Sequence, residues 1–581
     1  MKKLKIAFGY NAFSQRSIEY HENIVHQART LGYDVYPVAI SPTIGSPRLS
    51  FAELDKKVFW KDKHICKFRD KIIEQISSAD VFWLFNGTNF HPSWIKLLPQ
   101  KQLKIYGCHD DPESSPTLSL PVAAYFDAVI TGNISVLTFY QGHINCEVSW
   151  LPLFQSLQPA QLSDADIAKE NRPIDLVFLG ERESIWRRKR FDYLQQAFPK
   201  GFFYGRGWPN GWIEDSSSIY LKSKIGINIH NSVGPVNIRL YELASHGVMQ
   251  ICDNKCRLGH IFKLSEEIIG YDYIDEAIEK INYYLDPKHE EERCQIAWKG
   301  YQRYLSDYTA EKIWQKAFSI IEPWYIKKES NSIQSRDYSF RKENNFSEYL
   351  SNTKNHIKYF YLETKDIAKK ILHLKENWST IDIKENISLN EAKMQADAQI
   401  CQASFDVTVE IISPDITALS YAITKLIGKA KNILAIDSLC LTFAYEAAQD
   451  PSRKITIINN KLHPYFNKFN PPRNITCLPE IKYIKNIFDL VVSINRININ
   501  NNYKDFLYKA SQLSQKAIFT IPQYGQSNLT QKDCFYILQQ YYKKTYLFTM
   551  LDKYIPAIVP ATFDSKTIDT PTIILCENES I

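Results

Sequence analysis

The chain has no C-x-x-C pair, no convincing D-x-D-type metal motif, and no large excess of charge of either sign. Nor does any apolar run approach the roughly 20 residues that span a bilayer. Each absence excludes something. Eleven scattered cysteines, odd in number, fit reduced thiols better than a disulfide framework. Cys252, Cys256 and His260 have loosely ligand-like spacing, but a structural zinc needs a fourth partner that the pattern does not supply. Met1-Lys2-Lys3-Leu4 is basic, yet the apolar run behind it stops at Asn11, so it reads as a first strand and not a leader. A net charge of +6 over 581 residues is too small to argue for nucleic acid and allows only a mild preference for anionic partners. The expectation is a cytoplasmic protein without a transmembrane segment, with room for peripheral membrane association through a partner.

At this length one hydrophobic core does not suffice, and three domains are expected. The apolar and charged fractions, 44% and 23%, are those of a folded globular protein. Residues 5–10 read as a strand and turn, 19–31 as a helix closed by Gly32, and 34–40 as a second strand. The runs 81–85, 104–107 and 128–131 continue the series. Strands separated by helical stretches predict the α/β class, a doubly wound parallel sheet whose ligands bind at the carboxyl ends of strands. One such end carries His109-Asp110-Asp111-Pro112-Glu113. A carboxylate there can act as general base on a hydroxyl, with its neighbour's charge raising its pKa. The same residues would also make a plain Asp-Pro turn capped by Asp110.

Residues 224–254, KIGINIHNSVGPVNIRLYELASHGVMQICDN, read as strand, turn, short amphipathic helix and strand. Arg239 and Glu242 stand three apart, on one helix face. The helix N-terminus offers N–H groups and dipole charge to a phosphate, the guanidinium can take phosphate oxygens, and the carboxylate two sugar hydroxyls. An ordinary βαβ unit with a surface Arg–Glu pair is the competing reading. Upstream, residues 175–180 open a second sheet that ends at Gly180, and a basic run through Arg187 and Arg188 follows. Such a run can face a diphosphate or simply be solvated.

The block Arg239-Leu240-Tyr241-Glu242-Leu243-Ala244-Ser245-His246-Gly247 resembles the R-x-x-E-x-x-A-x-G block in the donor domain of GT-B glycosyltransferases, specifically the CgeB-like (spore-maturation-protein) branch. The similarity continues through 271–273, 281–285 and 296–300, includes the Asp-Asp-Pro segment at 110–112, and covers residues 3–324. It implies a GT-B pair of Rossmann-type domains, acceptor-side over 1–155 and nucleotide-sugar-binding over 171–325. It further implies that Arg239 and Arg187 or Arg188 face the donor diphosphate, that Glu242 holds the ribose, and that no metal is essential. Gly180 and the segment 203–208, with Arg206, resemble loops near the nucleotide. His109, Asp110 and Asp111 become catalytic candidates on the acceptor side. The chain departs from the family at one point. Many retaining members carry two glutamates eight positions apart, and the first would fall at Gly234. The sugar contact would then come from backbone N–H groups around Gly234 and Asn237.

Residues 326–402 turn polar and read as a helical connector, helical in parts such as 359–374. Residues 403–581 start another α/β unit, with strands at 430–437, 454–460, 488–493 and 516–522. That order resembles a class I S-adenosylmethionine-dependent methyltransferase. The loop after its first strand, Ser438-Leu439-Cys440-Leu441, has no glycine to let a cofactor approach, and Asn459-Asn460 replaces the expected acidic residue. A methyltransferase-like domain without S-adenosylmethionine is the expectation. The whole is then read as a GT-B glycosyltransferase, hexosyl- or related. It would take a nucleotide diphosphate sugar, a UDP-sugar first, to a glycan or glycoprotein acceptor of the cell surface. The rivals are a non-catalytic nucleotide- or glycan-binding scaffold and a bifunctional glycosyltransferase–methyltransferase.

Overall fold

Alternate residues of strand β1 (Lys5–Tyr10) feed two different cores: Ile6 and Phe8 pack on one face of the sheet, Ala7 on the other. A strand buried on both faces belongs to the middle of a parallel sheet, and that is where β1 lies. Its neighbours are β2 (Asp34–Ala39) and β3 (Val81–Leu84), followed outward by β4 (Leu103–Tyr106), β5 (Ala128–Thr131) and β6 (Glu147–Trp150). The order is β2-β1-β3-β4-β5-β6, parallel throughout. The computed structural model describes residues 3–330 and 414–578, apart from 43–48, 50, 86–88, 112–117, 144–145, 156, 169–171, 183–184, 437–439, 460–470, 485–486, 495–502, 522–530, 553–554 and 562–571. Within those limits the α/β class expected from the sequence holds.

The helix Gln15–Thr30 starts earlier than the sequence pattern suggests, because Ser14 caps it by accepting from the Ser17 amide at 3.1 Å. It ends at Gly32, whose φ of +87° suits a residue without a Cβ. The second sheet runs β11-β10-β9-β7-β8, again parallel, from β7 (Ile174–Leu179), β8 (Phe202–Tyr204), β9 (Ser223–Asn228), β10 (Met249–Asp253) and β11 (Ile269–Tyr271). The two are Rossmann-like units, each a parallel sheet with helices between its strands. The helix Ala310–Glu329 follows the second unit in sequence yet packs on the first sheet. Trp314 sits 4.8 Å from Phe154 and 6.2 Å from Trp83, ring centroid to centroid. Lys328 anchors the far end through a buried ion pair with Asp127 at 2.8 Å.

The third sheet contains β12 (Asn432–Ile436), β13 (Lys454–Ile458), β14 (Ile475–Leu478), β15 (Leu490–Ser493), β16 (Lys516–Ile521), β17 (Lys544–Asp552), β18 (Ile555–Pro560) and β19 (Thr572–Glu577). Its order is β14-β13-β12-β15-β16-β19-β17-β18, with β19 antiparallel between β16 and β17. Strands β14, β17, β18 and β19 go beyond the four expected from sequence. Of the connector expected at 326–402, residues 326–329 belong to the helix Ala310–Glu329, and 331–402 with the stretch at 359–374 lie outside the described residues, as do Ser438-Leu439 and Asn460. Among the described residues the cysteines are free thiols, and no helix is long and apolar enough to cross a membrane.

Candidate functional site

The site is built where β7 and β9 end. Arg239, the first residue of the helix Arg239–Ser245, turns its side chain back onto β7. Its Nε donates to the Leu179 carbonyl at 2.8 Å, its Nη1 to Asn228 Oδ1 at 3.1 Å, and the guanidinium lies 4.0 Å from the centroid of the Phe178 ring. A side chain at Gly180 would collide with that guanidinium, and one at Gly205 would collide with the Gly180 backbone. These two glycines are therefore required by close approach. Arg187 is buried beside Arg239, giving hydrogen bonds to the carbonyls of Glu181 (2.9 Å) and Ile229 (2.6 Å). Burial and the neighbouring Arg239 lower its pKa to about 9. Arg188, the alternative from sequence, faces solvent one residue on. Arg206 is also exposed and reaches Glu181 at 3.9 Å.

A third cation, Lys255, is 3% exposed and lies 3.3 Å from Asp253, which is fully buried. Asp253 also accepts from the His230 amide at 2.9 Å and pairs with His230 Nδ1 at 2.6 Å. Lys255 and His230 hold its carboxyl well below the usual carboxylate range against the opposing effect of burial. Because this carboxylate is ionised, His230 donates from Nδ1, and its buried Nε2 has no partner among the described residues. Three buried cations thus converge around one buried aspartate, and the arginines are held by carbonyl and amide oxygens. Such a surplus is set up to receive an anion.

Glu242 lies one turn beyond Arg239. Among the described residues nothing hydrogen-bonds its carboxylate, and burial pushes its pKa up to about 7 against the pull of Arg239 and Arg16. Arg16 belongs to the first unit, as does Tyr20, whose phenol is pushed up by burial and then by Glu242. The carboxylate therefore faces the helix Gln15–Thr30 across the cleft between the two units. Arg16 also lies 5.1 Å over the Trp212 ring of the second unit.

On the first unit's side, the two adjacent carboxylates at the end of β4 face opposite ways. Asp110 is exposed, while Asp111 is fully buried and accepts from Tyr140 and from Ser119 Oγ (2.8 Å). The Asp111 backbone carbonyl takes the Asn133 carboxamide at 2.7 Å. That carboxamide fills the space a side chain at Gly234 would need. A glutamate has no room at this position, which is where the GT-B pattern would put its first one. Asn237 is occupied as well: its Oδ1 accepts from the Leu240 amide at 2.9 Å, helping to cap the helix, and its Nδ2 donates to Asn228.

His109 Nδ1 accepts from the Gly132 amide at 3.0 Å, which leaves the proton on Nε2, a buried atom without a partner among the described residues. Burial lowers its pKa to about 4. The sequence reading missed His21, on the second turn of the helix Gln15–Thr30. Its Nδ1 donates to the Ser17 carbonyl at 2.6 Å, so its Nε2 carries the lone pair, and its ring stacks on Tyr10 at 4.8 Å. Burial lowers it too to about 4. Lys255, Asp253 and His230 were missed as well, and no local motif announces any of the four. Of the cysteine–histidine trio, Cys252 adjoins His230 and Asp253, Cys256 is buried elsewhere, and His260 is exposed.

Residues 187–319 match a family model described as glycosyl transferase-like. No curated protein matches the chain. Among solved structures it is similar to Alr3699/HepE of Anabaena in complex with UDP, at 11% identity and TM-score 0.41, covering 55% of this chain and 100% of that one. It is also similar to sucrose-phosphate synthase from Thermosynechococcus elongatus, at 12% identity and TM-score 0.40, covering 56% and 99%. A glycosyltransferase from Rickettsia africae matches at 13% identity and TM-score 0.41, covering 56% and 99%.

Proposed function

We propose that the chain transfers a sugar from a nucleotide diphosphate sugar, a UDP-sugar first, to a hydroxyl of a glycan or glycoprotein acceptor. The observation that carries this reading is the buried surplus of positive charge formed by Arg187, Arg239 and Lys255 beside the free carboxylate of Glu242. A nucleotide diphosphate sugar offers the matching chemistry: two anionic phosphates for the cations and ribose hydroxyls for the carboxylate. The glycosyl transferase-like match over 187–319 spans these same residues.

In the transfer, the acceptor oxygen bonds to the anomeric carbon as the bond from that carbon to the diphosphate oxygen breaks. The leaving diphosphate takes the electron pair, and the guanidinium groups of Arg187 and Arg239 offset its charge. The acceptor proton passes to a base on the first unit. Asp110, exposed at the end of β4, and His21 Nε2 are our candidates for that base, while His109 Nε2–H is a donor that can orient a hydroxyl. Asp111 holds this edge in place from within. Gly234 and Asn237 supply the loop around which the donor sugar lies. Closing the cleft excludes water from the transfer.

The strand order of the third sheet, with β19 antiparallel between β16 and β17, supports reading it as methyltransferase-like. We assign it no S-adenosylmethionine, because the first-strand loop lacks glycine. The test of the main reading is nucleotide release from a panel of UDP-, GDP- and dTDP-sugars with pooled glycan acceptors, with Glu242→Ala as control. Release from one donor, abolished in the variant, is expected. Tight nucleotide binding with no release from any donor would turn the reading to a binding scaffold.

A further inference from the structure

One carboxylate of the third unit touches both lobes of the cleft. Glu446 lies on the helix Cys440–Ala447, with its side chain 3% exposed. Its Oε1 accepts from the hydroxyl of Thr138, on the first-unit helix Leu137–His143, and its Oε2 pairs with Arg257 of the second unit. Around this point a single apolar cluster takes in Val136 and Tyr140 from the first unit, Val233 and Cys256 from the second, and Ala418, Phe443 and Ala444 from the third. The helices Leu137–His143 and Cys440–Ala447 pack against each other.

Both contacts lead back to the site. Arg257 sits two residues past Lys255 and four past Asp253, in the loop that leaves β10. Its backbone is held at φ +66°, the left-handed region that a residue with a Cβ enters only when its surroundings fix it. Its guanidinium also lies 6.0 Å from the Tyr421 ring of the third unit. On the other side, the helix that carries Thr138 also carries Tyr140, the partner of buried Asp111.

From this geometry we infer that the third unit is a clamp: Glu446 ties the Thr138 helix of one lobe to the Arg257 loop of the other and so sets the opening of the cleft. Glu446 is a positioning residue. It acts on the cation cluster through the 253–257 loop and on the first-unit edge through the 137–143 helix. The inference rests on the proposed function only for its effect on catalysis, since the tie itself exists without substrate.

The test is hydrogen–deuterium exchange on the full, ligand-free chain, read in peptides covering 137–143 and 254–260, with Glu446→Gln and Arg257→Gln. Glu446→Gln is expected to raise exchange about tenfold in both peptides while β1 and β15 stay protected. Arg257→Gln should loosen 254–260 and leave 137–143 as in the wild type. This second variant carries the test if Glu446→Gln fails to fold. If Glu446→Gln leaves either lobe's peptide unchanged, or if Arg257→Gln loosens both equally, the clamp is overturned. Given a donor identified as above, Glu446→Gln should raise its KM several-fold with a smaller change in kcat. Glu446→Asp should recover part of that loss, which a merely global destabilisation would not produce. Absence of any donor would remove the proposed function and leave the exchange result standing.

Discussion

Arg239 and Gly180 are fitted to each other: the guanidinium occupies the space that a Cβ at 180 would need. Gly180→Ala should therefore push Arg239 off the Leu179 carbonyl and away from the diphosphate position. Calorimetric titration with UDP should show affinity weakened tenfold or more, about 1.4 kcal/mol, for one added methyl group. Unchanged affinity would mean that Arg239 does not meet the nucleotide.

Glu242 gives the site a pH dependence whose sign can be worked out. Its folded-state pKa is raised from the ordinary 4.5 to about 7 by burial. The folded chain thus holds this proton more tightly than the unfolded one, and the associated stability is full below 4.5 and lost as pH rises through 7. Ribose hydroxyls need the ionised form as acceptor, so UDP affinity should rise over the same interval and level off above it. Glu242→Gln should flatten both the thermal-melting and the binding profiles between pH 5 and 8.

Asp110 and Asp111 should respond oppositely to the same change. Asp111→Asn perturbs a buried, doubly engaged carboxylate and should cost about 1–3 kcal/mol of stability by chemical denaturation. Asp110→Asn, at an exposed position, should leave stability unaltered and lower transfer if Asp110 serves as the base. Equal stability of the two variants would contradict the placement of Asp111.

His21 and His109 are both held neutral by burial, each lowered to about 4. A histidine with a depressed folded pKa contributes stability that is full above its ordinary value near 6.5 and lost as pH falls toward 4. Replacing either by Asn should soften acid unfolding across that interval. The ring proton resonances of both should stay fixed between pH 5.5 and 8; a titration there would remove them as neutral partners for a hydroxyl.

The first five strands of the first sheet and the β9–helix–β10 unit were legible, because burial on one or both faces leaves apolar residues at regular spacing. The Arg239–Glu242 pair was legible for the same local reason, three residues putting both on one helix face. The choice of Arg187 over Arg188 was not, since the basic run is continuous and only the helix's packing decides which arginine turns inward. His21 sits singly in a helix, and Lys255 and Asp253 meet His230 across a loop, so no short spacing marks them. The last strands of the third sheet pair antiparallel, and β19 is inserted between β16 and β17, partners that precede it in sequence by some tens of residues.

The sequence by itself determined the α/β class, the position along the chain of most strands of the first sheet, the glycine after β7 and the Arg–Glu spacing at 239–242, because local sterics and periodic burial act over a few residues. Only the tertiary structure decided which charges are buried. Packing takes Arg187, Arg239 and Lys255 out of water around Asp253, draws Asp111 inward to Tyr140, closes Asn133 over Gly234, and brings Glu446 across from the third unit to Thr138 and Arg257. Desolvation is a property of the assembled surroundings, and it is desolvation that makes these charges felt.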